Sequence, residues 1–197
     1  MNLVQNKAYK FRLYPNKQQQ ELINMTFGCT RFVFNRILGD AIKYYEENKK
    51  TKINTPATYK SDYPFLKEVD SLALANAQLQ VKVAYKNFYN GSGFPKFRSK
   101  KNNYQSYTTN NQKGSVRIEG SKIKLPKVGF VKIKLHQAVQ GVIKSVTISK
   151  NPSGKYYISI LTHQEIAQLA TIAKNLGIHL ALKTFAIHSD VDFFQNP

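Results

Sequence analysis

Lys122-Ile123-Lys124-Leu125-Pro126-Lys127-Val128-Gly129-Phe130-Val131-Lys132-Ile133-Lys134-Leu135 decides the fold class. Ile123 and Leu125 alternate with Lys122 and Lys124. Val131, Ile133 and Leu135 alternate with Lys132 and Lys134. A period of two sends the apolar set inward and the lysines to an open face, so the stretch reads as two half-buried strands. The same period predicts strands at Gln105–Thr109, Gly114–Glu119, Val142–Lys150 and Lys155–Thr162. Glu119-Gly120-Ser121 and Asn151-Pro152-Ser153-Gly154 supply hairpin turns. Short strands with closely spaced turns predict a small barrel or sandwich. A lysine-bearing face beside aromatic loops is how oligonucleotide-binding barrels take their ligand.

Upstream, Lys7, Tyr9, Phe11 and Leu13 alternate with Ala8, Lys10 and Arg12, a further strand that Tyr14-Pro15 ends. Asn16 with Gln19 three residues later is a capping box. Apolar residues then recur at helical spacing from Leu22 to Tyr45. Gly28 and Gly39 interrupt them, which predicts two helices or one bent helix. Lys49–Tyr59 is polar, carries Pro56 and reads as a loop. Asp70 or Ser71 caps a second helix, Leu72 to about Tyr89, with the stripe Leu72, Ala75, Leu79 and Val83 and with Tyr85 and Phe88 beside it. Asn90-Gly91-Ser92-Gly93 ends it and Pro95 prevents resumption. Beyond Thr162, Gln164–Asn175 is helix-prone, and Leu176–Leu180 with Thr184–His188 reads as a buried strand pair.

The 197 residues carry 30 Lys+Arg against 11 Asp+Glu, a formal charge of +19. The excess is concentrated: Phe94 to Ile160 holds 14 Lys/Arg and one acid, Glu119. Such a charge repels itself in a compact chain unless a polyanion neutralises it. In Phe94-Pro95-Lys96-Phe97-Arg98-Ser99-Lys100-Lys101-Asn102-Asn103-Tyr104, cations for phosphates alternate with rings on which bases stack. No uncharged run exceeds 11 residues, so no apolar segment spans a membrane. Lys7, Lys10 and Arg12 without an apolar core predict no secretory signal. The single Cys29 excludes an internal disulfide and a cysteine-based zinc site on this chain, and fits a reducing, cytoplasmic setting.

Four stretches, in order, resemble the OrfB/TnpB family of insertion-sequence transposases, compact RNA-guided nucleases. They are Lys7-Ala8-Tyr9-Lys10-Phe11-Arg12-Leu13-Tyr14-Pro15 with Gln19 and Leu22; Phe27-Gly28-Cys29-Thr30-Arg31-Phe32-Val33-Phe34-Asn35; Ala84-Tyr85-Lys86-Asn87-Phe88-Tyr89 through Phe94-Pro95-Lys96-Phe97-Arg98-Ser99-Lys100-Lys101; and Ile123-Lys124-Leu125-Pro126-Lys127-Val128-Gly129 with Ile143–Ser149 and Gly154-Lys155-Tyr156-Tyr157. The resemblance covers residues 5 to 162. It implies an α+β fold: residues 1–14 and 95–163 as a small basic β-barrel (an oligonucleotide-binding-like wedge domain), and 15–94 as an inserted helical, helix-turn-helix-like recognition lobe. Residues 164–197 are implied to be a linker and an incomplete RuvC-like strand pair. Guide-type RNA and DNA are the implied partners.

The resemblance also implies where the chain departs from its family. The first RuvC strand there reads like Gly-Ile-Asp-x-Gly; here it is Gly177-Ile178-His179-Leu180-Ala181. His179 stands where the catalytic Asp belongs. The remaining carboxylates and the zinc cysteines are expected beyond Pro197. Two-metal nucleases hold hard Mg²⁺ with several carboxylates, so neither the Mg nor the Zn site is expected on this chain, and no nuclease activity. Asp190 and Asp192 read as solvated turn residues, and the histidines have no metal-ligand spacing.

The expected nucleic-acid contacts are Tyr9, Lys10 and Arg12 on the first strand, with Arg31 and Asn35 on the first helices. Lys96, Arg98, Lys100 and Lys101 are to meet phosphates, with Phe97 and Tyr104 stacking or packing. Lys124, Lys127, Lys132 and Lys134 are to form the basic face. Tyr9 is expected to be core in part. The competing reading is a small helix-turn-helix regulator of duplex DNA with Arg31, Asn35 and Arg36 on its recognition helix, Cys29–Ile42; the largely apolar remainder of that helix argues against it.

Overall fold

A computed structural model describes residues 2–101, 104–167, 177–179, 184–189 and 193–195. The chain divides into two compact units, Val4–Glu165 and the remainder.

In the larger unit the alternating segments become strands β1 (Asn2–Tyr14), β2 (Gln105–Asn110), β3 (Arg117–Glu119), β4 (Lys122–Leu125), β5 (Gly129–Lys134), β6 (Val142–Lys150) and β7 (Tyr156–Ala167). They form one curled, seven-stranded sheet in the order β2-β6-β7-β1-β5-β4-β3, in which β1 pairs antiparallel with β5 and β6 with β7. The expected barrel is therefore a half-barrel: β2 and β3 are edges, and no ladder joins them. Its concave side holds Tyr9, Phe11, Leu13, Ile123, Leu125, Val131, Ile133, Ile148 and Ile158, the inward phase of the alternation.

Asn16 and Gln19 form the predicted box: the Asn16 side chain accepts from Gln19 N at 2.9 Å, and Gln19 Oε1 accepts from Asn16 N at 3.1 Å. The helix they open, α1 (Lys17–Asn48), runs unbroken for 32 residues. Gly28 and Gly39 do not divide it, because its buried face, including Val33, Phe34, Ile37, Leu38 and Ala41, continues past both. The loop expected at Lys49–Tyr59 ends in a short 3₁₀ helix, Pro56–Tyr59, opened by Pro56, and a second follows at Pro64–Lys67.

The second helix, α2 (Ser71–Tyr89), starts where predicted, and Asp70 caps it by accepting from Leu72 N at 3.0 Å. Its buried stripe is Ala73, Leu74, Ala77, Val81 and Tyr85, not the expected one. Leu79 and Val83 are about half exposed. Both stripes have helical spacing, and small alanines on the true one let α2 approach α1 closely. Asp70 also accepts from Thr109 Oγ1 on β2, which ties the helix pair to the sheet edge.

Helix-prone Gln164 starts instead as strand, since β7 continues to Ala167; the rest of that segment lies outside the described residues. In the smaller unit the expected pair appears as β8 (Ile178–His179) and β9 (Thr184–His188), antiparallel, joined by β10 (Phe193–Gln195) on the far side of β9. It is buried only in part: Ala186 is buried, whereas Ile178 and Phe185 are exposed.

Candidate nucleic-acid interface

The outward phase of the same strands builds a cationic surface. The register sets Arg12 on β1 opposite Lys134 on β5, and Tyr14 opposite Lys132. Lys132 also faces Lys122 on β4, and Lys124 faces Phe130 on β5 and Arg117 on β3. Directly opposed like charges destabilise a sheet, each pair by a few tenths to about 1 kcal/mol. Among the described residues of these four strands the acid is Glu119, already paired with Arg117.

Rings stand between these cations. The Arg12 guanidinium lies 5.1 Å from the Tyr157 ring centre and 5.5 Å from that of Tyr14, and its Nη1 donates to the Tyr157 hydroxyl at 3.4 Å. Lys10 Nζ also sits 5.3 Å from the Tyr157 ring centre. Arg117 and Lys124 approach Phe130 at 5.6 and 6.0 Å. Sequence reasoning missed Tyr14, Phe130 and Tyr157. The signal was available: each is in phase with the outward lysines, whereas Tyr156 is in phase with the core and is buried.

A second cationic element is the arm that leads from α2 to β2, residues 94–101. Among its described residues it forms no ladder, and it is held on α1 through Asn35, Phe34 and Gly39. Asn35 Nδ2 donates to Arg98 O at 2.9 Å, and Arg98 N donates to Asn35 Oδ1 at 2.7 Å. The Arg98 guanidinium stacks 3.8 Å from the Phe34 ring centre, and this loss of hydration lowers its pKa from the ordinary arginine value. The Phe97 ring lies beside Gly39, where a Cβ would just touch it. Lys96, Lys100 and Lys101 are exposed, as are the rings of Phe97 and Tyr104.

The other expected residues fall into three settings. Tyr9 belongs to the core at 2% exposure; its hydroxyl accepts from Gln140 N at 3.3 Å and donates to Gln164 Oε1 at 3.2 Å. Asn35 supports the arm through its amide rather than facing solvent, and Arg31 is half-buried on α1 beside the arm. Lys127 sits exposed in the β4–β5 turn at φ 65°, and Lys124 is half-buried.

Among the described residues no group of three or more His, Cys, Asp or Glu side chains could hold a metal ion. His179 is exposed on β8, and a neutral imidazole is a poor partner for a hard cation. Asp190 and Asp192 lie outside the described residues. Cys29 is buried on α1, and desolvation with the nearby Glu68 charge pushes its thiol up to about 11.

Comparison with known proteins agrees with the motifs. Residues 1–50 match the helix-turn-helix domain of the OrfB/IS605 family. InsQ of Escherichia coli (strain K12), named a candidate RNA-guided DNA endonuclease, is 31% identical over 96% of this chain and 48% of its own length. A protein of Streptomyces pristinaespiralis with the same designation is 24% identical over 97% of this chain and 50% of its own. A solved Cas12f1–sgRNA–target DNA complex aligns with a TM-score of 0.38 and 15% identity, covering 94% of this chain and 54% of that one. The chain belongs to the OrfB/TnpB family of insertion-sequence transposases. It spans about half the length of the curated relatives it matches.

Proposed function

We propose that this chain is the nucleic-acid-gripping portion of an RNA-guided nuclease of an insertion sequence, binding guide-type RNA and DNA without cutting either. The observation that carries this is the run of opposed cations Arg12–Lys134, Lys122–Lys132 and Arg117–Lys124 on one sheet face. A sheet gains nothing from opposing like charges unless a polyanion lies across them. The half-barrel, β1 with residues 95–163, plays the wedge. Residues 15–94 play the inserted recognition lobe, consistent with both helices falling between β1 and β2 in the chain. The 164–197 segment plays a linker and the opening of a RuvC-like fold.

His179 in place of the family aspartate supports a chain that uses no metal or other cofactor and carries no cleavage chemistry of its own. A cytoplasmic setting suits such a binder, and no described helix is long and apolar enough to cross a membrane. The regulator reading loses ground because its candidate recognition helix is the middle of unbroken α1, with Cys29, Thr30, Val33, Phe34, Ile37, Leu38 and Ala41 buried. The test is the triple variant Lys96→Ala/Lys100→Ala/Lys101→Ala, titrated with a hairpin RNA and a DNA duplex. We expect at least a tenfold loss for the RNA and an unchanged thermal unfolding transition. Wild-type affinity would remove the arm from the interface. Tighter binding to one DNA duplex than to RNA would restore the regulator.

A further inference from the structure

Two hollows meet beside α1, under the arm. One, of about 420 Å³, is walled by Phe27, Phe97 and Tyr104. The other, of about 390 Å³, is walled by Lys100 and Lys150. Arg31 and Gln105 line both. Among the described residues no acid lines either hollow. The first hollow holds the rings together with Arg98, the second holds the two lysines, and Arg31 and Gln105 stand where they adjoin.

The rings are the informative part. Phe97 and Tyr104 are 59% and 54% exposed. Rings left in the wall of a cationic hollow present faces of the size and polarity of a nucleobase. A base inside a duplex has both faces covered by its neighbours, so only a base outside the stack can use them. The Gln105 amide can donate to and accept from a base edge. Lys100 and Lys150 line the adjoining hollow, where the phosphates of the same strand would run.

Resting on the polynucleotide reading above, we propose that this paired cleft seats one unpaired nucleotide of the bound strand. Its base lies against Phe97 and Tyr104, and its flanking phosphates lie on Arg31, Lys100 and Lys150. The arm is then more than a phosphate clamp: its position on α1, fixed through Asn35, sets the width of the cleft.

The experiment uses two RNA hairpins of identical stem, one fully paired and one with a single 2-aminopurine bulge, and their DNA counterparts, titrated against the full chain. The bulged RNA should bind about tenfold tighter than the paired one, with quenched 2-aminopurine emission, as expected for one stacked base. Tyr104→Ala should lower affinity for the bulged probe several-fold more than for the paired one and restore the emission; Tyr104→Trp should keep both effects. The same preference in DNA assigns the cleft to the base alone, and its absence there assigns it to a ribonucleotide. Equal affinity for bulged and paired hairpins, with unquenched emission, overturns the cleft and leaves the cationic face standing. No binding to any probe defeats both.

Discussion

The Asn35 side chain pairs with the backbone of Arg98 as one peptide group pairs with another, donating at 2.9 Å and accepting at 2.7 Å across 63 residues of chain. Asn is the shortest side chain with one donor and one acceptor so disposed. The arm, which has no strand partner, borrows its order from this helix side chain. Asn35→Ala should cost about 1–2 kcal/mol of stability for two hydrogen bonds. It should also expose the Arg98 amide to hydrogen exchange while the amides of the sheet stay protected. An Arg98 amide that exchanges as slowly in the variant as in the wild type would show that the arm is held by something else.

The opposed lysines make stability and binding move in opposite directions. Lys132→Glu places an acid opposite Lys122 and leaves Tyr14 on its other side. Replacing a repulsive cross-strand pair by an attractive one should raise stability by a few tenths to about 1 kcal/mol. The same change should weaken RNA binding several-fold. Urea titration and binding isotherms on one preparation check both; a variant that loses stability as well as binding contradicts this account of the face.

Gly141 has φ 83°, and a Cβ there would overlap the His163 carbonyl oxygen. Both atoms belong to backbone, so neither yields cheaply. The neighbouring Gln140 N–H donates to Tyr9, so this close approach seats the loop before β6 against the core. Gly141→Ala should destabilise by about 2–4 kcal/mol in urea unfolding. A loss below 0.5 kcal/mol, on the order of a surface change, would show that the loop is free to move away.

The Cys29 thiol, raised from 9.0 to about 11 mainly by burial, is held as the neutral acid in the fold. For a group raised in the folded state, the protonated form is the stabilised one, and the contribution is lost as pH climbs through 9 toward 11. At pH 8 the thiolate fraction is about 100-fold lower in the fold than in the open chain. Iodoacetamide should therefore label Cys29 at least that much more slowly in native protein than in urea, as read by intact mass. Similar rates in both would place the helix core open to solvent.

Much of this was legible because it rests on periods of two and on caps. The inward phase of β1, β4 and β5 was assigned residue by residue, and Asn16 with Gln19 fixed the start of α1. The failures share a cause. α2 carries two apolar stripes of equal spacing, and only the partner helix selects the one with Ala73 and Ala77. Gly28 and Gly39 looked like breaks, yet packing on both sides of them outweighs about 1 kcal/mol of propensity per glycine. Closure of the sheet could not be read, since whether the end strands β2 and β3 pair is a long-range matter that no local alternation records. In the site, the pairing of Asn35 with a backbone 63 residues away was not legible, since no local pattern records it.

The central claim is that the lysine face and the arm hold a phosphate backbone, and salt tests it most directly. Affinity for a hairpin RNA, measured from 50 to 300 mM salt, should fall with a log–log slope near −5 if about six phosphates are neutralised. A slope near zero would mean that these cations meet no polyanion, and would contradict the account.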